Sequence, residues 1–201
     1  NISNYEGAVD QILKRGGWCI RVGEPGGQEL AKRPGVINYH NSPFKSDLMD
    51  LYLCLENRFF LGNTSGLYTV SVVGGKPCAL ANMVPLGACY GFGRDSISIP
   101  KTLSTRDGKK LHFKYIFSSR LSDFSYSFVE DRNLIIIENS AEEIRELAAE
   151  MLDVLDGCKI YSEHDQALQE SFRRLVGPQH YTYGASGRIG SAFLRSHEGL
   201  L

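Results

Sequence analysis

The chain has 201 residues, enough for one full hydrophobic core, and its 42% apolar and 22% charged content excludes a disordered or low-complexity polymer. With 22 basic against 23 acidic residues the formal net charge is −1, so no global field draws it to nucleic acid or an anionic membrane. Apolar runs such as Leu134 to Ile137 are too short to span a bilayer, and no basic flank leads into a hydrophobic stretch near Asn1, a pattern that reads as cytoplasmic.

Taken in chain order, Asn4 to Lys14 sets Tyr5, Ala8, Val9, Ile12 and Leu13 on one helical face, and Gly16 and Gly17 end that helix. Trp18 to Val22 reads as a short buried strand, Gly23 to Gly27 as a loop, and Val36 to Tyr39 as a second strand broken by Asn41, Ser42 and Pro43. Ser46 is placed to cap a helix running through Leu48, Leu51, Tyr52 and Leu55. Arg58 to Leu61 is the next strand, and Gly62 to Gly66 a turn into a helix over Leu67 to Val73. Gly74 and Gly75 precede a strand at Pro77 to Ala81. This alternation is the rhythm of an α/β, doubly wound parallel sheet flanked by helices.

Residues 82 to 132 predict loops and short elements, with Lys101 to Lys110 as an exposed turn. Leu134 to Ile137 is a strand, and Asn139 and Ser140 cap a helix over Ala141 to Leu155. Two helical stretches follow, near 163–176 and 188–197, separated by the Gly/Tyr-rich loop 177–187. The expected organisation is one domain over residues 1–160 and a helical tail over 161–201 that packs on it or on a partner domain. Cys19, Cys54, Cys78, Cys89 and Cys158 are scattered and odd in number, which predicts free thiols, and no spacing of zinc ligands appears.

The chemistry concentrates at strand ends. Phe59 to Leu67 is a strand that ends in Gly62-Asn63-Thr64-Ser65-Gly66 and feeds a helix N-terminus, where unpaired N–H groups and a partial positive charge receive anions. The same residues also read as a simple capped turn. Arg21 ends the first strand beside Gly23, well placed to meet a diphosphate, or else pairs with Glu24 or Asp47 on the surface. His40 and Ser42 follow the second strand, where polar groups could read a base or ribose, although an ordinary strand-to-helix connection with a surface His explains them better. Lys45, Ser46 and Asp47 offer a cation and a second helix start, or a solvated cap. The glycine loops match neither GxGxxG nor a P-loop, so nicotinamide and ATPase readings lose their support.

Gly16 to Pro25, Ser42 to Asp50, Phe59 to Leu67 and Pro77 to Pro85 together resemble successive motifs of a family of bacterial proteins assigned as glycosyltransferases and associated with surface-polysaccharide genes. The ending, Arg188-Ile189-Gly190 through Phe193-Leu194 to Leu200-Leu201, is similar to the C-terminus of that family. The resemblance implies a GT-B enzyme whose C-terminal, Rossmann-like domain holds a nucleotide-sugar donor while an N-terminal domain, without counterpart here, brings a glycan acceptor. Arg21 and the Thr64-Ser65 turn are similar to the diphosphate-binding arginine and serine turn of fucosyltransferase-like enzymes of that class. The implied donor contacts are Arg21, Gly23, His40, Ser42, Lys45, Ser46, Asp47, Asn63, Thr64, Ser65 and Gly66. No cofactor, metal, nucleic acid or transmembrane segment is implied; the nucleotide-sugar enters as substrate. A non-catalytic nucleotide- or carbohydrate-binding module and a ligand-free interaction domain are the alternatives.

Overall fold

A computed structural model describes residues 1–89, 93, 95–123, 129 and 132–201, with the side chains of residues 89, 120 and 123 left aside. The first helical segment splits into a 3-10 turn over Ile2–Tyr5 and helix α1, Glu6–Lys14, whose inner face buries Ala8, Val9 and Ile12. Strand β1, Cys19–Ile20, pairs in parallel with β2, Val36–Ile37. Helix α2 is Asp47–Glu56, β3 is Phe60–Gly62, α3 is Gly66–Val73, and β4 is Cys78–Met83.

Strands β5, Ile97–Pro100, and β6, Thr102–Thr105, follow, then α4, Phe113–Ser118, and β7, Leu134–Ile137. The chain closes with α5, Ala141–Leu155; α6, Glu163–Arg174; β8, Arg188–Ile189; and α7, Ser191–Ser196. The fold is α/β, with a parallel sheet β3-β4-β5-β8 flanked by helices in a Rossmann-like arrangement. Strands β6 and β7 form a separate antiparallel pair, and β1 and β2 a third small sheet.

The four residues Cys78 to Ala81 are buried in succession, so β4 is covered on both faces. Helix α5 lies over β4 and β5 and packs along α1, while α3 packs on β3, β4 and α2. Ser140 caps α5 in a reciprocal box with Glu143, and Ser162 does the same for α6 with Asp165. Among the described residues no helix is long and apolar enough to cross a membrane.

Several expectations are corrected. Trp18 lies outside β1 and is 69% exposed, because only Cys19 turns toward Val9 and Ile12 of α1. The second strand stops at Ile37, and Tyr39–Asn41 is a 3-10 turn. The short elements expected within 82–132 include two buried strands, Ile97–Pro100 and Thr102–Thr105, and the second falls in the stretch read as an exposed turn; Lys101 is 9% exposed and bonds Glu138 at 3.1 Å. The exposed turn proper is short, closing around Gly108 with φ +87°. Of the stretch 82–132, residues 90–92, 94, 124–128, 130 and 131 lie outside the described set. The final helical stretch begins instead with β8, since Arg188 and Ile189 pair with Ile97 and Ser98.

That last strand binds the C-terminal segment into the sheet. Phe172 is fully buried, edge-on to Phe113 with ring centroids 5.1 Å apart, and Phe193 and Leu194 join the same core. Phe172→Ala is therefore expected to cost about 3–5 kcal/mol in urea unfolding. A cost below about 1 kcal/mol, in the range of a surface change, would mean that α6 lies outside the cooperative core.

Cys19, Cys54 and Cys78 are buried and Cys158 is exposed; all four are free. Burial pushes the Cys19 thiol up to about 11 and that of Cys78 up to about 12. Of these four, only Cys158 should be alkylated by iodoacetamide in the native protein at neutral pH. Peptide mapping that finds Cys19, Cys54 or Cys78 labelled as fast as Cys158 would contradict this.

Candidate functional site

In parallel sheets ligands gather at the carboxyl ends of strands, where chain connections diverge. Here that edge carries Arg21 beyond β1, Asn63 to Ser65 beyond β3, and Asn82 at the end of β4. Tyr5 joins them: its hydroxyl interacts with the Asn82 side chain and lies within the field of Arg21, and burial raises its ionisation above the usual phenol value. The 3-10 turn ahead of α1 thus stands at the same edge.

Arg21 is half-buried. Its backbone N–H donates to Ile37 at 2.8 Å and its carbonyl accepts from the N–H of His40 at 3.0 Å, which fixes the main chain. One terminal nitrogen of the guanidinium donates to the Val22 carbonyl, and Nε is buried without a partner. Neither Glu24 nor Asp47 forms an ion pair with it, and burial shifts its pKa downward, with Tyr5 the nearest compensating influence. A guanidinium drawn partly out of water with no carboxylate partner among the described residues is an unbalanced charge there. Gly23 beside it has φ +139°, a conformation that favours glycine.

The turn after β3 supplies the complementary half. Ser65 occupies the N-cap position of α3 in an extended conformation, but its side chain makes no capping bond. Ser46 behaves otherwise, its Oγ accepting from the N–H of Met49 at 3.2 Å. The first N–H groups of α3 are therefore left to an outside acceptor, and nothing crowds the Cα of Gly66. Asn63, Thr64, Ser65 and Gly66 are exposed, and Thr64 Oγ1 accepts from the N–H of Val84 at 3.4 Å, tying the turn to the end of β4.

The remaining predicted residues support the edge from behind. His40 is 0% exposed; its Nε2 donates to the Gly27 carbonyl at 3.1 Å, holding the glycine loop, and Nδ1 has no partner. Asn41 fixes the same loop, accepting from the N–H of Gly26 at 2.8 Å. Ser42 keeps a buried hydroxyl without a partner. Lys45 is paired with Asp50, which raises its pKa and neutralises its charge locally. Ser46 is consumed in capping, and Asp47 is exposed in the first turn of α2. Arg21, Gly23 and residues 63 to 66 thus face one edge, whereas His40 and Lys45 are engaged within the protein.

Asn82 stands outside the predicted site residues, and Asn139, expected to cap the following helix with Ser140, instead pairs with Asn82 while Ser140 alone is the cap. Asn82 has φ +55°, unusual for a residue with a side chain. Its N–H donates to Asn139 Oδ1 at 2.6 Å, the N–H of Asn139 donates to Asn82 Oδ1 at 2.8 Å, and Asn139 Nδ2 donates to the Pro100 carbonyl at 2.9 Å. This closed amide pair locks the ends of β4, β5 and β7 together. The signal in the sequence was an asparagine ending an apolar strand run and another preceding a helix cap. Among the described residues no group of three or more His, Cys, Asp or Glu side chains is arranged to hold a metal ion.

No family model, curated protein or solved structure matches the chain.

Asn139→Ala would strand the amide of Asn82 and the carbonyl of Pro100, an expected loss of about 2–4 kcal/mol in denaturant unfolding. A loss below about 0.5 kcal/mol, typical of a surface change, would show that the pair does not hold the strand ends.

Proposed function

We propose that this chain is the donor-binding half of a GT-B glycosyltransferase, with the diphosphate of a nucleotide-sugar received between Arg21 and the start of α3. The observation that carries the reading is the half-buried Arg21 guanidinium, which has no carboxylate partner among the described residues and lies past the carboxyl end of β1, as the uncapped helix start at Ser65 lies past that of β3. A diphosphate satisfies both at once: its oxygens pair with the guanidinium and accept from the N–H groups of the α3 terminus. The sequence resemblance supplies the reaction class.

In such a reaction the acceptor hydroxyl attacks the anomeric carbon, the bond from that carbon to the phosphate oxygen breaks, and the nucleoside diphosphate departs with the electron pair. Negative charge accumulates on the leaving phosphate, and preorganised donors that meet it there lower the barrier. Arg21, the Ser65 hydroxyl and the α3 N–H groups would do so. The acceptor proton goes to a general base contributed by the domain that brings the acceptor.

Arg21→Ala is expected to weaken nucleoside diphosphate about ten- to hundredfold, equivalent to losing about 1.5–3 kcal/mol for a charge-assisted hydrogen bond. The bare nucleoside should bind as before. Ser65→Ala should show the same selectivity at smaller size, because the backbone donors remain. Titrations of wild type and both variants with diphosphate, monophosphate and nucleoside, followed by ligand-observed NMR, provide the comparison. An equal loss for all three ligands on Arg21→Ala would assign the residue to the fold or the base and overturn this placement.

A further inference from the structure

The two parallel sheets at the heart of the fold are neighbours that do not touch by hydrogen bonds. Cys19 of β1 shares a cluster with Val9, Ile12 and Leu152, and Phe59 and Leu61 at β3 pack against that same cluster. Yet among the described residues β1 pairs only with β2, and β3 only with β4. The facing edges are open. Cys19 and Arg21 direct their N–H groups to β2, accepting partners at Gly35 and Ile37, so strand alternation turns the N–H and C=O of Ile20 the other way. Phe60 likewise donates to Pro77 on the β4 side, which turns the polar backbone of Leu61 toward β1. Among the described residues no strand is paired on the side to which Ile20 and Leu61 turn their backbone groups.

We propose that the gap between β1 and β3 is a slot for one further parallel strand, an extended apolar segment that enters α1 through the Ile2–Tyr5 turn. Adding it gives the order β2-β1-slot-β3-β4-β5, which is the doubly wound order 3-2-1-4-5-6 with the inserted strand as its first member. Three independent features agree. Helices α1 and α3 fall on opposite faces of the sheet, as right-handed crossovers leaving the slot in opposite directions require. The turn that opens α1 stands at the carboxyl edge, where Tyr5 meets Asn82 and Arg21, so a parallel strand emerging from the slot runs directly into it. Every residue of β3 is only partly buried although the strand lies beside the main core, whereas β4 and β5 are almost wholly buried.

The chemistry of the occupant follows from the walls. Its inner face lies over Val9, Ile12 and Leu152, so the alternate residues facing them are apolar, and the backbone must offer a regular ladder to Ile20 and Leu61 on its two edges. Both open edges are otherwise templates for unwanted pairing. The strand's carboxyl end arrives between Arg21 and the Asn63 to Gly66 turn, so it would also close the candidate cleft. The proposal itself rests on the hydrogen-bond register and stands whether or not the cleft binds a nucleotide-sugar.

Amide hydrogen exchange tests it in two arms. In the chain as it is, the Ile20 and Leu61 amides should exchange rapidly while Arg21 and Phe60, their paired neighbours, are protected. The second arm uses a chain extended at its N-terminus by a six-residue Val/Ile strand and a short Asn-Gly linker, beside a control with proline at the strand centre. The extension should slow Ile20 and Leu61 by about tenfold or more, an effect above local fraying, and raise Tm, and the proline control should do neither. Slow exchange of both amides in the unextended chain at every concentration would mean that β1 and β3 close on each other and would overturn the proposal. Protection that appears only as protein concentration rises would make a second copy the occupant and overturn it equally, as would an extended chain that leaves both amides unprotected.

Discussion

Cys78, Ala79, Leu80 and Ala81 are each at most 1% exposed, and a strand buried on two faces dictates most of what surrounds it. Such a strand needs a helix on either side, a parallel neighbour on either edge, and residues small enough to let the layers close. Helix α5 answers on one face and α3 on the other, with β3 and β5 at the edges. The later chain is drawn in by the same demand: β8 extends the sheet beyond β5, and Phe172 and Phe193 fill the space beneath it.

Parallel strands bring their carboxyl ends to one edge, and there the backbone leaves the sheet with polar groups to satisfy. At β4 the protein does so internally, through the closed pair of Asn82 and Asn139. At β3 and β1 it does not. Ser65 leaves the start of α3 uncapped, and Arg21 carries a charge with no carboxylate beside it among the described residues. Three other helix starts in the molecule are capped by the serine that precedes them. Unmet donors and an unbalanced cation on one edge are the physical basis of the proposed diphosphate site.

The helices, and the strands that precede glycine turns, were legible in the sequence because apolar period and stop signals coincide there. Glu6–Lys14 ends before Gly16, and Ala141–Leu155 opens on a serine–glutamate box. The strands Ile97–Pro100 and Thr102–Thr105 were not, since Ser96, Ser98, Thr102 and Ser104 look polar in the chain although all are buried. Partners for such hydroxyls come only with the fold, as when Ser96 Oγ accepts from the N–H of Cys78 at 3.1 Å. At the candidate site, position at a strand end pointed to Arg21 and Ser65, but nothing local distinguished them from Lys45, whose charge is taken up by Asp50.

The central claim is that an anion is received by Arg21 and the first turn of α3. Two-dimensional NMR of the labelled chain, titrated with uridine, guanosine and cytidine diphosphates, tests it most directly. One of them is expected to shift the Arg21 Nε–H and the amides of Gly66 and Leu67 together, in a single saturable process, while Asp95 and Arg188 at the opposite edge stay in place. Shifts confined to that opposite edge, or none at Arg21 and Gly66 with any diphosphate, would contradict it.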